Sequence, residues 1–137
     1  MKENAVVFES GGIRISGVLR TPDDAPGPIP AAVLIHGSLE QDRDGNLLLP
    51  RDGPHVPRKE FFLEIARRFT EAGIAVLSYD RRGYGESGGV PADYGSQASD
   101  ARAAVDRLLS LPGIDPANIF VFGQSAGVYV ACLMSMS

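Results

Sequence analysis

The segment IFVFGQSAGVYVACLM, residues 119–134, consists of an apolar run, a glycine-rich turn and a second apolar run. The turn Gly123-Gln124-Ser125-Ala126-Gly127 has the pattern G-x-S-x-G. In a strand–turn–helix unit, this pattern places a serine hydroxyl at the start of a helix, where free N–H groups and the helix dipole stabilise negative charge. Glycine at positions 123 and 127 lets strand and helix approach closely. The segment therefore predicts Ser125 as a nucleophile, the alternative being a serine that caps the helix.

Upstream of this segment, short apolar runs alternate with amphipathic stretches. The predicted strands are Val6–Glu9, Ile13–Leu19, Ala31–Ile35, Ile74–Tyr79 and Ile119–Phe122, and the predicted helices are Glu60–Ala72, Ser96–Leu111 and Val128–Met136. The first two strands flank Gly11-Gly12 and indicate an antiparallel β-hairpin. Strands that alternate with helices predict the α/β class, with a largely parallel sheet and helices on both faces. We expect residues 1–137 to form part of one domain.

Composition excludes several classes of function. Of the 137 residues, 44% are hydrophobic and 22% are charged, and the net charge of −4 gives no electrostatic basis for binding nucleic acid. The single cysteine, Cys132, excludes a disulfide framework and is expected to be buried. The N-terminus lacks the apolar stretch of a secretory signal, and no apolar run is long enough to span a bilayer. We therefore expect a cytoplasmic protein without membrane contacts.

Three turns follow predicted buried strands, and ligands bind α/β sheets outside the carboxyl ends of such strands. They are His36-Gly37-Ser38, residues 80–89, and residues 123–127. A tetrahedral oxyanion is stabilised by converging N–H donors, and the backbone N–H groups of Ser38 and Ala126, in two of these turns, are the candidates. His36 is expected to stabilise its loop through a hydrogen bond rather than to act as a base.

The segments LIHGS (34–38), VLSYDRRGYGESGG (76–89) and FVFGQSAG (120–127) resemble the α/β-hydrolases in order and spacing. The stretch SLEQDRDGN (38–46) is similar to a segment of a bacterial carboxylesterase-like branch. The resemblance implies a serine hydrolase that cleaves small-molecule carboxylic esters through an acyl-enzyme on Ser125 and uses no cofactor. An imidazole would take the serine proton, and a carboxylate would orient that imidazole.

The chain departs from the family pattern after the nucleophile. In the family the order is serine, acid, histidine, but the twelve residues after Ser125 contain neither an acid nor a histidine. His36 and His55 both lie upstream, and His55 is expected to be a surface residue of the long loop at 38–57. This pattern predicts an N-terminal portion of a hydrolase domain that is nearly inactive alone. Its strand at 119–122 would be an unpaired edge, which an oligomeric partner could cover.

Other interpretations are weaker. A non-catalytic hydrolase-like binding module is the first alternative. The turn at 83–88 matches the dinucleotide pattern G-x-G-x-x-G, but no helix opens directly after it. Asp42, Asp44 and Asn46 resemble half of a calcium loop whose sixth position, a required glycine, is Leu47. The histidines and the cysteine are too scattered for zinc, so no metal site is predicted.

Overall fold

The computed structural model describes residues 1–48 and 60–136. In this part of the chain there are five strands and three helices. The strands are β1 (Lys2–Ser10), β2 (Ile13–Thr21), β3 (Ile29–Ile35), β4 (Ala75–Tyr79) and β5 (Ile114–Gly123). The helices are α1 (Phe61–Glu71), α2 (Tyr94–Leu109) and α3 (Ala126–Ser135). None of these helices is long and apolar enough to cross a membrane.

The five strands form one mixed sheet in the order β1-β2-β4-β3-β5. β1 and β2 are the predicted antiparallel hairpin, and β2 also runs antiparallel to β4. β3 pairs in parallel with both β4 and β5, so that Val33 lies between Leu77 and Val121. The carboxyl ends of these three strands consequently meet at one edge of the sheet. The predicted α/β class and sheet type are confirmed.

Helices cover both faces of the sheet. Side chains alternate in direction along each strand, so a single strand contributes to the core on each face. Val33 and Ile35 belong to the core that packs against α2 and α3. Leu34 points to the opposite face, where it packs with Phe62 and Ala66 of α1. Each fully buried side chain of this size contributes roughly 1.5–3 kcal/mol to folding.

The face that α1 buries lies within the apolar stripe that its sequence predicts. That stripe consists of Phe61, Ile65 and Phe69, widened by Phe62 and Ala66. Phe62 and Ala66 are buried and Ile65 and Phe69 pack against them, whereas Phe61 is 41% exposed. Helical periodicity does not choose which edge of so wide a stripe is buried most deeply. The choice depends on a tertiary contact, because the Phe62 ring stacks on His36 at a centroid distance of 4.4 Å.

The prediction of a third buried strand is wrong, whereas the expectation that residues 119–122 form an edge of the sheet agrees with the described strands. β5 is the last strand of the sheet, where it pairs only with β3 among the described strands, and Phe120 is 52% exposed. Cys132 of α3 is exposed as well, contrary to its expected burial. An apolar run indicates that a strand prefers burial, but burial also requires neighbours that the run itself does not specify.

Candidate active site

Ser125 lies between the end of β5 and the first residue of α3. Its backbone has φ 53° and ψ −120°, a conformation that residues other than glycine rarely adopt and that costs of order 1–3 kcal/mol. The side chain is exposed and makes no capping hydrogen bond to the helix. The helix-cap alternative is therefore wrong, and the strained turn presents the hydroxyl outward.

The flanking glycines allow this turn to exist. A Cβ at Gly123 would lie 2.5 Å from the backbone of Gly127, and a Cβ at Gly127 would lie 2.3 Å from the carbonyl oxygen of Ile35. Any side chain at either position would collide with backbone that cannot rotate away. α3 consequently packs directly against the end of β3.

The same close packing brings the turn after β3 against Ser125. The Gln124 N–H donates to the Ile35 carbonyl oxygen at 3.1 Å. A Cβ at Gly37 would lie 3.1 Å from the Gln124 carbonyl oxygen and 3.3 Å from the Ser125 Cβ. Sequence analysis predicted that these two turns share one edge of the sheet, and the structure places them in contact.

Two backbone N–H groups in the turns around Ser125 have no acceptor among the described residues. The N–H of Ser38, which is an exposed residue, donates to no atom of the described residues. The N–H of Ala126 is likewise without an acceptor in that part of the chain, because it opens α3. Ala126 follows Ser125 in the chain, and Ser38 follows Gly37, whose turn contacts Ser125.

His36 is buried against the opposite face of the sheet from α2 and α3. Its Nε2 lies 3.1 Å from the Tyr79 carbonyl oxygen and its ring stacks on Phe62. Burial, and secondarily the positive charge of Arg81, lowers the pKa of His36 to about 4. A buried neutral ring that donates to a backbone carbonyl stabilises its loop, as expected from the sequence. His55 lies outside the described residues.

Asp80 organises the loop that carries Ser38. Its buried carboxylate accepts hydrogen bonds from the Arg43 backbone N–H at 2.6 Å, from Arg43 Nη2 at 2.8 Å and from the Glu86 N–H at 2.9 Å. Arg43 also donates to the Ser16 hydroxyl at 3.0 Å and to the Gly17 carbonyl oxygen at 3.1 Å. Sequence reasoning missed Arg43, because nothing distinguishes it from other charged residues of its loop.

The structure does not favour the calcium loop at 42–46 or the dinucleotide turn at 83–88. The carboxylate of Asp42 accepts from the N–H groups of Asp44 and Asn46 at 2.9 and 3.0 Å, and Asp44 pairs with Arg20 at 2.8 Å. In the turn at 83–88, Gly85 packs directly against the Asp80 carboxylate. A buried negative charge beneath the turn disfavours a pyrophosphate at that place.

Comparison with known proteins agrees with this geometry. A family model described as "Serine aminopeptidase, S33" matches residues 58–136, more than half of the chain. An uncharacterized protein of Mycobacterium tuberculosis is 44% identical over 68 residues, which are 50% of this chain and 24% of that protein. A thiohydrolase of Eupenicillium brefeldianum is 39% identical over 90 residues, which are 64% of this chain and 29% of that protein.

Among solved structures, the α/β-hydrolase GrgF from Penicillium sp. sh18 has a TM-score of 0.78 at 24% identity. The match covers 98% of this chain and 42% of that chain. It shows that the two proteins share a fold. The chain spans less than half of the length of each of these three proteins.

Proposed function

The chain belongs to the α/β-hydrolases, in the family described as serine aminopeptidase S33, and we propose that it carries the nucleophile and oxyanion donors of a carboxylic ester hydrolase. Ser125 is the nucleophile. The N–H groups of Ser38 and Ala126 form the oxyanion hole. The observation that carries the proposal is the contact between the Gly37 turn and a strained, exposed Ser125.

In the proposed reaction, the Ser125 Oγ attacks the ester carbonyl carbon and its proton passes to an imidazole. The carbonyl oxygen becomes an oxyanion, which the two N–H groups stabilise. Collapse of the tetrahedral intermediate breaks the ester C–O bond, and the imidazolium returns its proton to the leaving oxygen, which departs as the alcohol. Water then hydrolyses the acyl-enzyme in the same manner. Because His36 is buried and its Nε2 is engaged, we assign the imidazole to a histidine outside the described residues.

The nucleophile is tested by labelling the full-length gene product with a fluorophosphonate, which reacts with activated serines. We expect stoichiometric labelling in the wild type and none in Ser125→Ala. Ser135→Ala is the matched control, because Ser135 is an exposed serine of the same helix and its loss should change nothing. Undiminished labelling of Ser125→Ala would refute the assignment, and a protein that reacts with no probe or ester would favour the binding-module alternative.

The oxyanion donor is tested by comparing Ser38→Pro with Ser38→Ala. Proline removes the N–H group and alanine keeps it, while the exposed hydroxyl is lost in both variants. Loss of one such donor lowers kcat by about 10²–10³-fold, so we expect this loss in Ser38→Pro alone. Equal kcat values in two folded variants would exclude Ser38 as a donor. An ester and a thioester of the same acyl group, assayed in parallel, identify the leaving group.

A further inference from the structure

Arg81 is buried without an ionic partner. Arg81 is 7% exposed, and the only hydrogen bond of its guanidinium in the described part of the chain runs from Nη2 to the Leu39 carbonyl oxygen. The Nε atom is buried and has no acceptor. No carboxylate of the described residues forms an ion pair with this guanidinium, whose face stacks on the Tyr84 ring at 4.6 Å. Most of its donors are therefore unused.

Two nearby arginines, unlike Arg81, form ion pairs with buried carboxylates. Arg82 binds both carboxylate oxygens of Asp100 at 2.6 and 2.7 Å, and Arg43 binds Asp80 at 2.8 Å. A buried guanidinium without a counter-charge is costly, since desolvation is not repaid by an ion pair. Desolvation by burial lowers the pKa of Arg81, and the negative charge of Glu40 opposes this shift without forming an ion pair with the guanidinium. An unfavourable buried charge of this kind is typical of a binding site, where a ligand of opposite charge compensates it.

The ligand has a place to bind. A cavity of about 420 Å³ is lined by Ser38, Arg81, Tyr84, Tyr94 and Gln97. Asp93 also borders the cavity, but its carboxylate accepts the Ser96 N–H at 2.8 Å and caps α2. A volume of this size accommodates a small organic group. Since the Ser38 N–H is the proposed oxyanion donor, a group in this cavity would be attached close to the scissile carbonyl.

We propose that this cavity is a substrate subsite in which Arg81 binds a carboxylate carried by the ester. The inference rests on the proposed function and adds the substrate class to it. The carboxylate would accept from guanidinium N–H donors that the described residues leave unused, and the tyrosine side chains that line the cavity would contact the adjoining carbon chain. The preferred substrate is then an ester of a dicarboxylic acid or of a carboxylated alcohol.

The test compares matched esters in the full-length gene product. Mono-4-nitrophenyl succinate against 4-nitrophenyl butyrate examines a carboxylate on the acyl side, and 4-carboxyphenyl butyrate against phenyl butyrate examines the alcohol side. The wild type should prefer the anionic ester of one pair. In Arg81→Met, we expect the ratio of kcat/KM values for that pair to fall by about 10- to 100-fold, with a smaller fall in Arg81→Lys.

Arg102→Met is the control for net charge, because Arg102 is an exposed residue of α2, and it should leave both ratios unchanged. Ratios that are equal in the wild type and in Arg81→Met would overturn the subsite. Failure of the proposed function is recognised separately, by absence of Ser125 labelling and of turnover on all four esters. In that case calorimetric titration with succinate decides: binding that Arg81→Met abolishes supports the anion site, and absence of binding to the wild type refutes it.

Discussion

Replacement of Gly127 by alanine tests whether close packing of α3 on β3 positions the proposed nucleophile. The added Cβ would lie 2.3 Å from the Ile35 carbonyl oxygen and 2.7 Å from that of His36. A carbon and a carbonyl oxygen rarely approach closer than about 3.3 Å, so the start of α3 must retreat by about 1 Å. Both oxygens belong to the backbone at the end of a buried strand, and neither can rotate away.

The net change in stability combines two opposing effects. Overpacking in a core costs up to about 3 kcal/mol, whereas alanine is favoured over glycine in a helix by about 1 kcal/mol. We therefore expect Gly127→Ala to lower the free energy of unfolding by about 2 kcal/mol. Gly95→Ala is the matched control: it lies in α2, its Cβ would meet only Asp93 Oδ1 at 3.5 Å, and it should stabilise by up to about 1 kcal/mol.

The free energies of unfolding of the two variants are measured in the full-length gene product by urea unfolding, followed by circular dichroism. The functional consequence is measured by the rate of fluorophosphonate labelling. A 1 Å displacement of a catalytic group costs on the order of 100-fold in rate, so Gly127→Ala should react about that much more slowly and Gly95→Ala at the wild-type rate. If Gly127→Ala is as stable and as reactive as the wild type, contact between α3 and β3 does not position Ser125.

Three further predictions concern stability. Ser125→Gly should raise the free energy of unfolding in urea by about 1 kcal/mol, since glycine relieves the strain at φ 53°; an unchanged or lowered value would contradict the strained turn. Asp80→Asn should lower it by about 3 kcal/mol, because the buried carboxylate accepts from Arg43 twice, whereas Asp23→Asn at an exposed ion pair should change it little. Burial lowers the pKa of His36 from 6.5 to about 4, so between these values the unfolded chain binds a proton that the folded chain does not. Stability should therefore fall by up to about 3 kcal/mol as the pH drops through this window, and urea titrations of His36→Gln should lack that part of the fall.

Local patterns predicted most of the secondary structure and the identity of the turn. The hairpin follows from β-branched runs around Gly11-Gly12, and the strand–turn–helix unit follows from the apolar runs that flank residues 123–127. Both signals depend on residues that are neighbours in the chain. The predicted parallel arrangement also places the three candidate turns together, because the carboxyl ends of parallel strands lie at the same edge of the sheet.

Contacts between distant residues could not be predicted in this way. No local sequence pattern indicates the Arg43–Asp80 ion pair or the stacking of His36 on Phe62. The exposure of Cys132 depends on which elements pack beside α3, a property of the whole fold. Burial is decided by neighbours in space, whereas hydropathy records only what a side chain would prefer.

The sequence by itself determined the α/β class, the strand–turn–helix that carries Ser125 and the two loops that border it. Periodicity and glycine placement are local properties that can be read from neighbouring residues. Only the tertiary structure decided that the Gly37 turn touches Ser125, that Asp80 holds the intervening loop, and that Arg81, which lines the same cavity as Ser38, is buried without an ion pair among the described residues. These facts depend on packing and desolvation, which arise when separate segments of the chain share the same space.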